Sequence, residues 1–355
     1  MLEPNPTAFF QRQEENRRRS WVLFVLFGLI FGLWHWSLYY GFDYCLRLFN
    51  RTQNPSANNI YFTNSLALKT SILPTLAVAI SSLTASLQAL LALGRGGGSY
   101  VATALGGIPL GETESVLGTP AGVAQEKILR HVVSEMSLAA GLTPPDIYIL
   151  PQARAINALT SGLGQDDAAL VLTRGALTRL SRDELAGLVA HELSHLQNGD
   201  TRLNSLMAGG LKGFFILTKI GLALPPVSLI FLVVGAVGYL SGRLLQAAFS
   251  RRREFLADAG ATQFTRAPQS LARVLIKVGA LGEKGLSRVN RGGVALEYQH
   301  LCLVEPGLGL WPGLFKAHPP LTERIWALWP QWDGTWPDLA ANPTDNLQES
   351  LASRD

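Results

Sequence analysis

Two histidines and a glutamate stand at a spacing that could bind and use a metal ion. His191, Glu192 and His195 form the pattern H-E-x-x-H. Residues four positions apart lie on one face of an α-helix, so both imidazoles can reach one Zn²⁺ while Glu192 projects beside its open coordination position. The same pattern also arises by chance or as exposed polar residues on a surface helix. The rest of the chain must therefore supply a third ligand.

The flanking residues predict the helix that carries this pattern. Ser181 followed three residues later by Glu184 is a capping box, which is typical of a helix start. Apolar residues recur at near-helical spacing as far as Leu196, and Gly199 suits the left-handed conformation that ends many helices. The residues between these two signals are therefore predicted to be helical.

A second pair of chemically capable residues follows about sixty positions later. Glu254 and Asp258, in the segment EFLAD, also share one helical face. A catalytic zinc takes three protein ligands and a water, and two histidines with a glutamate form one known set, so Glu254 is the natural third ligand. Asp258 could accept a hydrogen bond from a ligating imidazole or carry a proton. The alternative is a pair of solvated acids beside three arginines.

Composition points to a membrane protein. The 355 residues are 48% apolar and only 16% charged, and the mean hydropathy is +0.19. This balance is too apolar for an ordinary soluble enzyme. The net charge of +4 comes without interleaved basic and aromatic residues, so we expect no nucleic acid partner. Cys45 and Cys302 lie far apart and predict neither a disulfide framework nor metal ligands.

Apolar segments predict the membrane spans. Residues 21–40 can cross the bilayer, and we prefer an uncleaved span to a signal peptide because no small-residue cleavage site follows. A second apolar run covers residues 66–93. Between the candidate ligands, residues 203–250 are apolar again. Because the ligands before and after this segment would bind one metal, both of its ends must lie on the same side of the membrane. It can do so either as two spans (203–224 and 227–248) or as a tilted interfacial hairpin. Arginine clusters favour a cytoplasmic N-terminus and site.

These features divide the chain into segments and predict its fold class. The expected fold is mainly α with a small β-sheet, in a multi-pass membrane protein. Strands are predicted at 146–150 and 168–173, with 154–162 as an edge strand or loop that could hold an extended peptide. The segments are a cytoplasmic N-terminus (1–20), two transmembrane helices with an external loop (21–93), the first part of a domain with the candidate zinc site (94–202), a membrane hairpin (203–250), the second part of that domain (251–327) and a disordered tail (328–355).

Taken together, the motifs resemble the HtpX family of membrane zinc metalloproteases, a branch of the gluzincins. Beyond the apolar segments, the matching pieces are IYIL, INALTSG, VLTRGALTRLSRDELAGLVAHELSHLQNGD, RRREFLAD and AHPPLTERI, over about residues 20–327. The resemblance implies that His191, His195 and Glu254 bind one zinc ion and that Glu192 is the general base. It implies Asp258 as a supporting acid and Asn157 with Ala158 as the substrate-side edge. It also implies that His318 stabilises an oxyanion or simply packs.

The resemblance implies a membrane-embedded zinc metalloendopeptidase, in which residues 94–202 and 251–327 form the two parts of a zincin-type peptidase domain. Its expected partners are the lipid bilayer and polypeptides, in particular misfolded or damaged membrane proteins removed in quality control. Its expected location is the bacterial inner membrane, with the N-terminus and active site facing the cytoplasm. One alternative is a CAAX-type prenyl-protein protease, which shares the zinc motifs but has more spans. Another is a non-catalytic membrane scaffold, against which the intact set of His191, Glu192, His195 and Glu254 argues.

Overall fold

The chain is described by a computed structural model that covers residues 6–53, 97–111, 115–162, 164–223, 229–286 and 316–337, with scattered positions between 76 and 91. It divides into two compact units. Of the described residues, those within 1–20, 92–202 and 250–355 form the first unit, and those within 21–91 and 203–249 form the second.

Helices account for most of the described residues, and a small mixed sheet accounts for the strands, so this part of the predicted fold class is confirmed. The elements are α1 (Pro6–Gln53), β1 (Ile108–Pro109), α2 (Pro120–Ala140), β2 (Asp146–Leu150), β3 (Ala158–Ser161), β4 (Ala169–Thr173), α3 (Arg174–Arg179), α4 (Arg182–Gln197), α5 (Asp200–Ala223), α6 (Leu229–Thr265), α7 (Pro268–Leu286) and α8 (Leu321–Leu328).

The sheet of the first unit has the order β1-β2-β4-β3. β2 and β4 are parallel, with Tyr148 opposite Val171, and β3 runs antiparallel to β4, with Leu159 opposite the same Val171. The two predicted strands are therefore confirmed as β2 and β4. β3 lies at the end of the sheet, inside the predicted edge segment. All four of its residues are buried, however, so the expected exposed edge is not exposed.

The first unit is built around α4, which packs against α2, α7 and β3. Leu188, Val189 and Leu193 are fully buried in this core, as the apolar spacing along the helix requires. Two glycines allow close approach. A Cβ on Gly187 would lie 2.6 Å from the backbone nitrogen of Leu271 in α7, and one on Gly260 of α6 would lie 2.7 Å from the Cβ of Ser194. The small residues at these two points allow α7 and α6 to pack closely against α4.

The core of the first unit continues past residue 327, where the sequence places the end of the peptidase domain. Leu328 and Trp332 belong to the same buried cluster as α4, and Trp332 is only 8% exposed. The predicted disordered tail therefore does not start at residue 328, because large apolar side chains at 328, 329 and 332 pack on the core. Residues 338–355 lie outside the described part of the chain.

The second unit contains helical segments from α1, α5 and α6 joined by aromatic contacts. The Phe31 and Phe214 rings meet edge to face at 5.3 Å, and the Trp34 indole donates to Ser241 Oγ at 3.1 Å. A Cβ on Gly238 would collide with the Phe214 ring, so this glycine allows α5 and α6 to approach closely.

Two described helical segments are long and apolar enough to cross a bilayer, Glu14–Gly41 and Leu232–Thr265. The first contains the predicted span 21–40, and the second overlaps the predicted span 227–248. α5, which coincides with the predicted span 203–224, is not one of these two described segments. The predicted span at 66–93 falls largely outside the described residues, and the connection between the predicted spans 203–224 and 227–248 lies outside them, so the multi-pass topology stays a prediction.

Candidate active site

Helix α4 begins and ends as its sequence predicts. Ser181 and Glu184 form the reciprocal capping box, with the Ser181 N–H donating to Glu184 Oε2 at 2.8 Å. Gly199 has φ of 66°, the left-handed conformation expected after the helix. His191 and His195 therefore lie on consecutive turns of a helix that is capped at both ends.

The two histidines meet Glu254 of α6 at one point. His191 Nε2 lies 3.1 Å from His195 Nε2 and 3.7 Å from Glu254 Oε2, and His195 Nε2 lies 3.5 Å from Glu254 Oε1. Donor atoms from all three side chains lie within 4.8 Å of one another. Two nitrogen or oxygen ligands of a tetrahedral zinc are about 3.3 Å apart, which follows from ligand distances of about 2.0–2.1 Å. The residues present therefore fit a zinc ion by donor type and spacing.

Asp258 and Arg324 lie behind His191. Asp258 Oδ1 is 3.0 Å from His191 Nδ1, the ring nitrogen that faces away from the other two donors. Arg324 of α8 donates to Asp258 twice, from Nε to Oδ2 at 2.8 Å and from Nη2 to Oδ1 at 2.6 Å. Its Nη1 lies 2.9 Å from Glu254 Oε2. The Arg324 side chain is completely buried, which two carboxylate partners make tolerable.

Asp200 and Arg253 lie behind His195 in a similar way. His195 Nδ1 donates to Asp200 Oδ2 at 2.6 Å, and the guanidinium of Arg253 makes a short ion pair with Asp200 Oδ1. Arg253 Nη2 also donates to the carbonyl of Asn198 at 2.7 Å, at the end of α4. Arg253 belongs to one of the arginine clusters from which the cytoplasmic orientation is predicted, and its side chain is buried in this ion pair.

Glu192 points toward the sheet rather than away from it. The hydroxyl of Thr160 in β3 donates to the backbone carbonyl of Glu192 at 3.1 Å and approaches its carboxylate Oε2 at 3.3 Å. Glu192 itself is buried, with 1% of its surface exposed. The end strand of the sheet is thus anchored directly beside this carboxylate.

The remaining predicted site residues lie on two sides of this group. His318 Nδ1 is 3.2 Å from Glu254 Oε2, so His318 belongs to the cluster. Asn157 and Ala158 are buried at the start of β3, where the Asn157 carbonyl accepts from the Thr173 N–H at 3.1 Å. They lie next to Thr160, through which the strand contacts Glu192.

Burial and neighbouring charges shift the ionisation of these groups. Burial lowers the pKa of His191, and the Asp258 carboxylate offsets only part of that effect. Burial alone would also lower the pKa of His195, but the hydrogen bond to Asp200 and the charge of Glu254 raise it to about 9. Burial raises the pKa of Glu192 to about 7. Binding of a metal by a protonated histidine releases a proton, because a ligating imidazole must be neutral.

Sequence reasoning missed three residues of this cluster, namely Asp200, Arg253 and Arg324. Arg324 could have been suspected, because it shares an α8 face with Leu321, Ile325 and Leu328, where a charged residue is unexpected. Asp200 had a weaker signal, an acid five residues after the second histidine and directly after the glycine that ends α4. Nothing distinguished Arg253 from the two arginines before it.

Comparison with known proteins gives the family of this site. Peptidase family M48 matches residues 123–330, more than half of the chain, including every residue of the cluster described above. The chain belongs to peptidase family M48.

Curated relatives of this M48 peptidase agree with that assignment. A protease HtpX homolog from Dictyoglomus turgidum is 34% identical over 210 residues, covering 56% of this chain and 67% of the relative. One from Bacteroides fragilis (strain YCH46) is 30% identical over 224 residues, covering 57% and 67%. The predicted resemblance to HtpX-like metalloproteases is thereby confirmed. The crystal structure of S. mikatae Ste24p aligns over 90% of this chain and 88% of its own, with 16% identity and a TM-score of 0.39.

Proposed function

We propose that this M48 peptidase is a zinc-dependent metalloendopeptidase whose single zinc ion is held by His191, His195 and Glu254. The observation that carries the proposal is the convergence of these three side chains, with donor atoms within 4.8 Å of one another. Imidazole and carboxylate donors in this number suit zinc and leave a coordination position open. Bound there, zinc would supply the Lewis acidity that lowers the pKa of water and polarises a peptide carbonyl.

Glu192 is the proposed general base. Its carboxylate is buried on the turn between the two histidines and is held near the sheet by Thr160. A carboxylate whose burial raises its pKa to about 7 can take a proton from the attacking water and later pass it to the leaving amine nitrogen. Water is the nucleophile in this scheme, so no covalent acyl-enzyme forms.

Asp258 and His318 are proposed to support this chemistry from either side of Glu254. Asp258 would hold the His191 ring by accepting from Nδ1, which keeps Nε2 directed at the metal position. His318, 3.2 Å from Glu254 Oε2, is placed to steady that carboxylate. The alternative role, stabilising the oxyanion of the substrate, requires direct contact with the scissile carbonyl.

Polypeptide substrates are proposed to bind in extended form alongside β3, near Asn157 and Ala158. β3 pairs with β4 on one side only within the described sheet, and Thr160 connects it to Glu192. An extended peptide added there would place its carbonyl groups next to the general base. Because β3 is buried, we expect the substrate to displace whatever chain covers it.

A membrane setting completes the proposal. Two described segments are long and apolar enough to cross a bilayer, and one of them continues into the helix that carries Glu254. We propose that the peptidase is embedded in the bacterial inner membrane with its site on the cytoplasmic face. Loops and unfolded segments of damaged membrane proteins are then its nearest substrates, which fits a role in quality control.

The decisive experiment compares the wild-type full chain with Glu192→Gln in detergent, measuring zinc content and cleavage of an unfolded protein such as casein. We expect wild-type protein to hold one zinc and to lose cleavage with a chelator. Glu192→Gln should keep the zinc and lose cleavage.

The matched control is Glu135→Gln, which removes a carboxylate in a surface ion pair where Glu135 is 51% exposed. This variant should retain both zinc and cleavage. Cleavage retained by Glu192→Gln would overturn the proposed base, and wild-type protein without zinc would overturn the proposed centre.

A further inference from the structure

His195 is held by an acid that the H-E-x-x-H pattern does not include. Its Nδ1 donates to Asp200 Oδ2 at 2.6 Å, while its Nε2 faces His191 Nε2 and Glu254 Oε1. A carboxylate can only accept, so this bond keeps a proton on Nδ1 and leaves Nε2 as the atom able to bind a metal. The bond also fixes the rotation of the ring about its axis. Asp200 is 3% exposed, so solvent competes little for it.

Asp200 is in turn held by Arg253. The guanidinium pairs with Asp200 Oδ1, the oxygen that His195 does not use, and reaches the Asn198 carbonyl at 2.7 Å. Both charged side chains are buried, with 4% of each exposed. Arg253 directly precedes Glu254 on α6. One arginine therefore connects the end of α4, the start of α5 and the turn of α6 that carries the proposed third ligand.

We propose that Asp200, held by its ion pair with Arg253, is a positioning residue that orients His195 for metal binding. Because Arg253 directly precedes Glu254, the same pair also fixes the position of His195 relative to Glu254. The inference rests on the proposed zinc site and adds to it a residue pair outside both sequence motifs. The competing explanation is a purely structural ion pair at the start of α5. The two explanations differ in whether metal affinity falls while the fold is kept.

The test is a zinc titration of the full chain in detergent, stripped of metal and then competed against a chelating indicator. Losing an acid that supports a ligating histidine typically costs about 10–100-fold in metal affinity. We expect Asp200→Asn to bind zinc about 10–100-fold more weakly than wild type. Asp166→Asn, which removes an exposed acid in a turn, should bind like wild type.

A second variant separates positioning from folding. Asp200→Asn removes the carboxylate charge that faces the buried Arg253, so the variant can lose stability for that reason alone. Combining Asp200→Asn with Arg253→Met removes both charges together. We expect this double variant to keep the wild-type melting behaviour of the metal-free protein and yet to show the same weakened zinc affinity. Asp200→Glu, which restores the carboxylate, should recover part of the affinity.

The outcomes distinguish this inference from the proposed function. Wild-type zinc affinity in both Asp200→Asn and the double variant would overturn the positioning role and leave the zinc centre intact. Weakened affinity in a folded double variant would support it. If the wild-type chain itself bound no zinc, the proposed centre would fall and this inference with it.

Discussion

The two histidines of this M48 peptidase are each supported by an acid and an arginine, but the two supports are built differently. The Asp258 cluster (His191, Asp258 and Arg324) joins α4, α6 and α8 and is sealed from solvent, with His191 and Arg324 both at 0% exposure. The Asp200 cluster (His195, Asp200 and Arg253) uses an acid only five residues after its histidine, and His195 remains 17% exposed.

The difference shows how one chemical arrangement can have two structural origins. The Asp258 cluster exists only if three helices distant in sequence assemble, because its charges come from positions 191, 258 and 324. The Asp200 cluster is half local, since His195 and Asp200 lie on either side of the turn that ends α4. We therefore expect the Asp258 cluster to matter more for stability, and both clusters to matter for metal affinity.

The largest effect should come from removing the buried arginine of the Asp258 cluster. Arg324→Met would leave the Glu254 and Asp258 carboxylates without their shared cation in the interior, and breaking a buried pair in this way costs about 3–5 kcal/mol. Chemical unfolding of the metal-free protein in detergent, followed by circular dichroism, measures the loss. Arg253→Met is the matched comparison and should cost less, because Arg324 lies between two carboxylates, whereas the described ion pair of Arg253 is with Asp200. An equal or larger loss for Arg253→Met would reverse the proposed ranking.

An intermediate effect is expected for the acid of the same cluster. Asp258→Asn keeps the shape of the side chain but removes the charge that faces His191 Nδ1 at 3.0 Å. We expect zinc to bind about 10–100-fold more weakly, as for any acid that orients a ligating histidine. The same indicator titration that tests Asp200→Asn gives the value. If only one of the two acids changed zinc affinity, the two clusters would not be functional equivalents.

The smallest effect should come from a change at the start of α4, the helix that carries the histidines of both clusters. Ser181→Ala removes the side chain that caps α4 and should lower stability by about 1 kcal/mol. Both histidines lie at least two turns beyond this end, so zinc affinity should stay within error of wild type. Ser181→Asp, which can also cap, should restore the stability. A fall in zinc affinity for Ser181→Ala alone would mean that the frayed helix start reaches the site.

Local signals were sufficient for much of this protein. The capping box, apolar spacing and terminal glycine defined α4, because each acts within one or two turns of helix. The i and i+4 spacing of the two metal-site motifs identified His191, His195, Glu254 and Asp258, since helical geometry converts that spacing into a shared face. The short strands β2 and β4 followed from brief runs of apolar residues.

Contacts between distant segments decided the rest. The pairing of Arg253 with Asp200 and of Arg324 with Asp258 joins positions 53 and 66 residues apart, and no spacing rule reaches so far. The burial of β3 and the packing of Trp332 depend on which surfaces meet, which composition alone does not specify. Donor types and helical faces are local properties of the chain, whereas the charges that balance a buried site come from whatever tertiary packing brings beside it.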